Sequence, residues 1–233
     1  MFINRALTGS IAALAIAFSS MTAVADPAAS LALLQQGVLS KGPNGEDPSP
    51  AADLSLNAAE IAKIKAMNAT AAIVMHYGGN DWSRAQIEGL KFQFAEMGVE
   101  VIAVTDAGFK PEKQVADIET VMARQPDIIV SVPTDPAATA AAYKAAAAAG
   151  VKIVFMENTP PGMTAGVDYI SVVSADNYGN GVAAAHLMAQ ALGEDGGQIG
   201  LVFHAADFFV TRQRYEAFKV CLLYTSDAAD EED

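Results

Sequence analysis

The sequence predicts a two-lobed α/β fold, with parallel sheets flanked by helices and the second lobe incomplete. Three observations predict it. From residue 70 onward, apolar runs of strand length alternate with longer stretches of helical periodicity. Those runs are nearly continuous in apolar residues, the mark of strands covered on both faces. A break at 158–164 (NTPPGMT), with paired prolines and a glycine, interrupts the alternation before it starts again.

Residues 1–25 read as a secretion leader. Arg5 supplies the positive charge, 11–18 (IAALAIAF) the short apolar core, and Ala23-Val24-Ala25 the small-residue cleavage site before Asp26. The apolar run is too short to span a bilayer as a stable helix, so a soluble product exported from the cytoplasm is expected. Residues 26–69 form an N-terminal extension, read as a poorly structured lead-in with a linker-like stretch at 42–50 (GPNGEDPSP). It carries one short helix at 56–67, capped by Asn57 or Ser55 with Glu60 in the first turn.

The first lobe is assigned to 70–157. Strands are expected at 71–77, 99–104, 127–132 and 152–156, and helices at 82–97, 110–124 and 136–149. Ile87, Leu90, Phe94 and Met97 share one face of the first of these helices, and Gly98 ends it; Gly150 ends the third. Residues 158–168 are read as the crossing segment. The second lobe opens over 169–220, with strands at 169–174 and 199–203 and helices at 177–192 and from 211. From Cys221 the helical periodicity is expected to stop. The string 221–231 resembles the translation of a transposase-type adapter used in short-read DNA libraries, so 221–233 is read as a non-native tail and the natural sequence as cut near Val220. An acidic disordered tail is the alternative.

The formal net charge of −13 and the lack of a basic cluster argue against nucleic acid as a partner. The only cysteine is Cys221, so no disulfide framework exists. His76, His186 and His204 lack metal-ligand spacing, and neither a GxSxG elbow nor a P-loop occurs. Gly179-Asn180-Gly181 lacks the third glycine of a dinucleotide fingerprint. No metal, no cofactor and no catalysis are expected.

In open parallel sheets, ligands bind at the carboxyl ends of strands. Those ends hold Asn80, Asp81, Trp82 and Ser83 after the first strand, Thr105 and Asp106 after the second, and Asp135 after the third. Glu157 and Asn158 follow the fourth, and the second lobe offers Asp176, Asn177 and the stretch 204–212. Carboxylates, amides and guanidinium groups suit sugar hydroxyls, and an aromatic face suits the C–H side of a sugar ring. Helix capping explains Asp81, Asp135 and Asn177 equally well, and Trp82 could be core.

GGNDWSRAQIEGL after the first strand, VSVPTDPAAT around the third, VSADNYGNGVAAAHLM after the crossing segment and FFVTRQRYEAFK near the end carry a resemblance. From about 71 to 219 the chain resembles the type 1 periplasmic binding proteins, whose lobes are flavodoxin-like. The resemblance implies a solute-binding protein that captures a monosaccharide or polyol and delivers it to the permease of an ABC transporter with its ATPase. It implies a monomer that is not membrane-embedded. A ligand-sensing module for a receptor or chemoreceptor is the alternative, and an α/β enzyme a further one. Carried over by position, Asn80, Trp82 and Ser83 fall where the family places an amide and two aromatics, with Ser83 departing from the second aromatic. Asp135 matches the hydroxyl acceptor. Glu157 and Asn158 match an Asp-Arg pair, without its arginine, and Arg212 matches the arginine of the distal lobe. Phe208 and Phe209 supply aromatic cover. Asn80, Asp135 and Arg212 are expected to face one cavity.

Overall fold

The computed structural model describes residues 27–34, 36–193, 196–202 and 208–226. The leader at 1–25, residues 203–207 and the end of the tail at 227–233 lie outside the described residues.

The strands are β1 (Thr70–Met75), β2 (Glu100–Asp106), β3 (Ile128–Ser131), β4 (Lys152–Met156) and β5 (Ser171–Val173). They form one five-stranded sheet in the order β2-β1-β3-β4-β5, every neighbouring pair parallel. The chain steps from β1 outward to β2, then returns across β1 to reach β3. That reversal is the topological switch point at which such sheets open a crevice.

The crossovers are α3 (Asp81–Glu96), α4 (Pro111–Met122) and α5 (Pro136–Ala148). Successive strand residues face opposite sides, so β1 feeds two cores. Ala72 and Val74 join Ile118, Val121, Ile129, Tyr143, Ile153 and Phe155 beneath α4 and α5. Ala71, Ile73 and Met75 join Phe94, Val99, Val130 and Met156 on the α3 side. Helix α2 (Ala58–Met67) packs Ile64 against the second core, and its Asn57–Glu60 capping box is fully formed. Gly98 and Gly150 follow the helices at φ +68° and +93°, the left-handed region where a Cβ is disfavoured.

Two further helices, α6 (Asn177–Leu192) and α7 (Phe209–Ser226), pack against each other beyond the sheet. They come close at Gly181, where an added Cβ would meet the Arg214 carbonyl oxygen and lie 2.7 Å from the Ala217 Cβ. Only a glycine lets the two backbones come this near.

The structure departs from the sequence reading in four places. The lead-in contains a helix, α1 (Pro27–Leu34), packed on α6. The strand expected to open a second lobe is β5, and it pairs with β4 in the first sheet, so 158–168 does not separate two sheets. Residues 199–202 form no strand, because no described neighbour offers them a ladder. Helix α7 continues through Cys221 to Ser226, and the Cys221 Sγ lies 3.6 Å from the His186 Nε2. Among the described residues, no helix is long and apolar enough to cross a membrane.

Candidate functional site

A cleft of about 390 Å³ opens beside the amino end of α5, where the 159–163 loop and the start of α7 meet. Asp135, Phe209 and Arg212 line it, with Pro43, Asn44, Thr159, Pro160, Pro161 and Met163. Asp135 is the N-cap of α5: its Oδ1 accepts the backbone N–H groups of Ala137 and Ala138, both at 2.9 Å. Capping thus holds the carboxylate among the lining residues and leaves Oδ2 without a hydrogen bond among the described residues. The cleft therefore offers a carboxylate, a guanidinium and a phenyl ring on walls of proline and methionine. Hydroxyl donors can meet Asp135, hydroxyl oxygens can accept from Arg212, and apolar C–H surface can lie on Phe209. Phe208 precedes the helix, half-buried, and its carbonyl accepts the backbone N–H of Arg212 at 3.0 Å.

Glu157 and Asn158 lie outside the residues lining this cleft and hold the sheet to the two outer helices. Glu157 adopts φ +65° directly after β4. Its carboxylate accepts from the Ser174 hydroxyl at 2.9 Å and lies 4.0 Å from the Arg214 guanidinium. Asn177 donates to the Ser174 Oγ at 2.7 Å and accepts from the Arg214 Nε at 2.7 Å, which closes a polar ring. Buried Asn158 accepts the backbone N–H of Val210 at 3.3 Å, in the first turn of α7. Both side chains assigned to ligand by position thus satisfy the protein's own polar groups.

The first-strand loop goes a third way. Asn80 caps α3, accepting the Ser83 N–H at 2.7 Å, and does not line the cleft of Asp135 and Arg212. The expectation of one cavity holds for that pair and not for Asn80, whose carbonyl satisfies an otherwise orphaned amide. Asp81 is exposed and pairs with Arg84. Ser83 is fully buried, with an Oγ that has no hydrogen-bond partner. Partly exposed Trp82 sits edge-on to His76 with ring centroids 6.2 Å apart, and Phe109 lies edge-on to His76 at 5.2 Å and stacks on Tyr77 at 4.7 Å. Burial holds the His76 imidazole below its ordinary pKa range, against the opposing pull of the Asp106 charge.

Residues 71–226 match the family described as a periplasmic binding protein domain. The chain belongs to this family. No curated protein matches the chain. Among solved structures, this periplasmic binding protein resembles the Caulobacter myo-inositol binding protein bound to myo-inositol, at 19% identity and a TM-score of 0.60 over 69% of this chain and 53% of that one. It also resembles an ABC transporter solute-binding protein from Mycobacterium smegmatis with bound glycerol, at 24% identity and a TM-score of 0.59 over 66% and 51% of the two chains. A third is an ABC transporter solute-binding protein from Agrobacterium vitis bound with α-D-tagatopyranose, at 25% identity and a TM-score of 0.59 over 67% and 54%. The chain spans about half the length of these structures.

Sequence reasoning missed Asn44, Asp176 as an anchor, and Arg214. Arg212 and Arg214 stand in the same motif, but two residues turn a helix by about 200°, so one faces the cleft and the other the polar ring. The resemblance singled out Arg212, whereas the Arg214 contact with Asn177 is visible only in the fold.

Proposed function

We propose that this chain is an exported periplasmic solute-binding protein that captures a monosaccharide or polyol and passes it to an ABC-transporter permease. The observation that carries the reading is the joint placement of Asp135, Phe209 and Arg212 in one cleft, contributed by the sheet unit and by α7. An acceptor, a donor and an aromatic face converging from two structural units suit a hydroxylated ring. Nothing in the reading requires chemistry on the ligand.

Binding would act through closure. A ligand touching both units favours the conformation in which both contacts form together, and only that differential contact shifts the population. The closed form is then what the permease recognises. An analogue lacking one hydroxyl leaves a buried polar group unpaired, at about 1–3 kcal/mol.

Isothermal titration calorimetry with pentoses, hexoses and sugar alcohols tests this. The expected outcome is micromolar or tighter binding of at least one, weakened about tenfold or more by Asp135→Ala or Arg212→Ala. Heat from no member of the panel would sink the reading.

A further inference from the structure

The family domain begins at residue 71, yet part of the cleft wall comes from the extension before it. We propose that residues 39–47 form a strap across this site and that Asn44 is a specificity-determining contact for the bound sugar or polyol. The inference rests on the function proposed above.

The strap is anchored at one end on the N-cap of α6. Asp176 accepts the backbone N–H of Leu39 at 3.0 Å, the N–H of Ser40 at 2.9 Å and the Ser40 hydroxyl at 2.8 Å, besides capping Gly179 at 2.9 Å. Burial alone would raise the pKa of this carboxyl, but these hydrogen bonds outweigh it and hold the group below its ordinary value. The buried Ser40 hydroxyl also accepts the N–H of Tyr178 at 2.9 Å, and the Lys41 carbonyl accepts from Gln213 of α7 at 3.1 Å.

From there the chain makes a tight turn. Gly42 donates to the Glu46 carbonyl at 2.8 Å and Gly45, at φ +90°, donates to the Gly42 carbonyl at 3.0 Å. The turn projects Pro43 and Asn44 into the wall that Asp135, Phe209 and Arg212 share. Asn44 is held rigidly for an exposed side chain. Its Nδ2 donates to the Glu46 Oε1 at 2.8 Å and to the hydroxyl of buried Tyr169 at 3.3 Å, and its backbone N–H donates to the Glu46 Oε2 at 2.8 Å. Both amide protons are thereby committed to protein, while Oδ1 accepts none of the hydrogen bonds among the described residues. A carboxamide fixed in this way presents a single acceptor to the cleft. Together with Asp135 it selects for hydroxyl donors, whereas Arg212 selects for acceptors. Because the anchor is on α6 and α7 and the tip rests on Tyr169, just before β5, the strap touches both units that the ligand must bring together.

The test compares the wild-type chain with Asn44→Ala and Ser40→Ala. The ligand is the tightest-binding member of the sugar and sugar-alcohol panel, read by calorimetry, with amide hydrogen exchange as a second readout. Asn44→Ala should weaken binding about threefold to tenfold, the worth of one net hydrogen bond, with strap amides still protected. Ser40→Ala should speed exchange at the amides of positions 39 and 40 and weaken the same ligand. Unchanged affinity in Asn44→Ala, or unchanged exchange in Ser40→Ala, overturns the strap while leaving the sugar reading in place. A wild-type chain that binds no panel member overturns both.

Discussion

The sheet unit and the α6–α7 pair solve the burial problem differently. In the sheet unit, the central strands are covered on both faces, and Ile73, Ile129, Ile153 and Phe155 are fully buried. Among the described residues, the helix pair leans on its own interface, α1, the strap and a polar seam to the sheet, with no strand packed against its apolar faces. Leu187, Leu201 and Val202 stay exposed there, and an apolar-floored groove lined by Ala184, Tyr215 and Phe218 runs between the helices. Helices alone, without strands against them, leave one apolar stripe each only partly covered. The lesson is that stability in this chain is concentrated in the sheet, while the cleft draws on both units.

The sharpest way to break that comparison is Phe155→Ala. The ring is fully buried and edge-on to Tyr143 at 5.0 Å and Tyr169 at 5.6 Å. Its removal should cost about 3–5 kcal/mol in urea denaturation; a loss well under that range would mean the sheet is not the dominant core. A smaller effect is expected from Gly181→Val, which forces bulk into the α6–α7 contact at about 1–3 kcal/mol. Hydrogen exchange should show α6 and α7 losing protection while β1 and β3 keep theirs. Equal loss in both would show one cooperative unit instead of two.

The least effect is a pH dependence confined to the sheet unit. Burial lowers the His76 pKa, so the folded chain favours neutral imidazole more than the unfolded chain does. The contribution is intact above the ordinary histidine value of about 6.5 and is lost as pH falls from there towards the folded value, because the unfolded state takes up the proton first. Denaturation midpoints between pH 7.5 and 5.5 should fall less in His76→Gln than in the wild-type chain; equal slopes would assign the pH dependence to other groups.

Much of the sheet unit was legible because its signals are local. Apolar runs marked four strands, Asn57 and Asp135 announced their helices, and Gly98 and Gly150 closed theirs. What the string hid was long-range pairing. Residues 171–173 look the same whether they open a new sheet or finish the old one, and only their ladder with β4 decides it. Residues 199–202 have strand composition but no described partner, so composition alone misled. The cleft shows the same division. Asp135 and Arg212 come together there, but whether Glu157 turns to a ligand or to Ser174 depends on a neighbour 17 positions away. Asn44 was invisible because its role depends on Tyr169, 125 positions distant.

The ring of Glu157, Ser174, Asn177 and Arg214 bears on how the molecule could flex. Every contact in it is polar, so a swing of the outer helices would trade each for water at little net expense, about 0.5–1.5 kcal/mol apiece. Prying Phe155 from its neighbours would instead open apolar surface to solvent. Compliance therefore belongs to the seam and stiffness to the slab beside it.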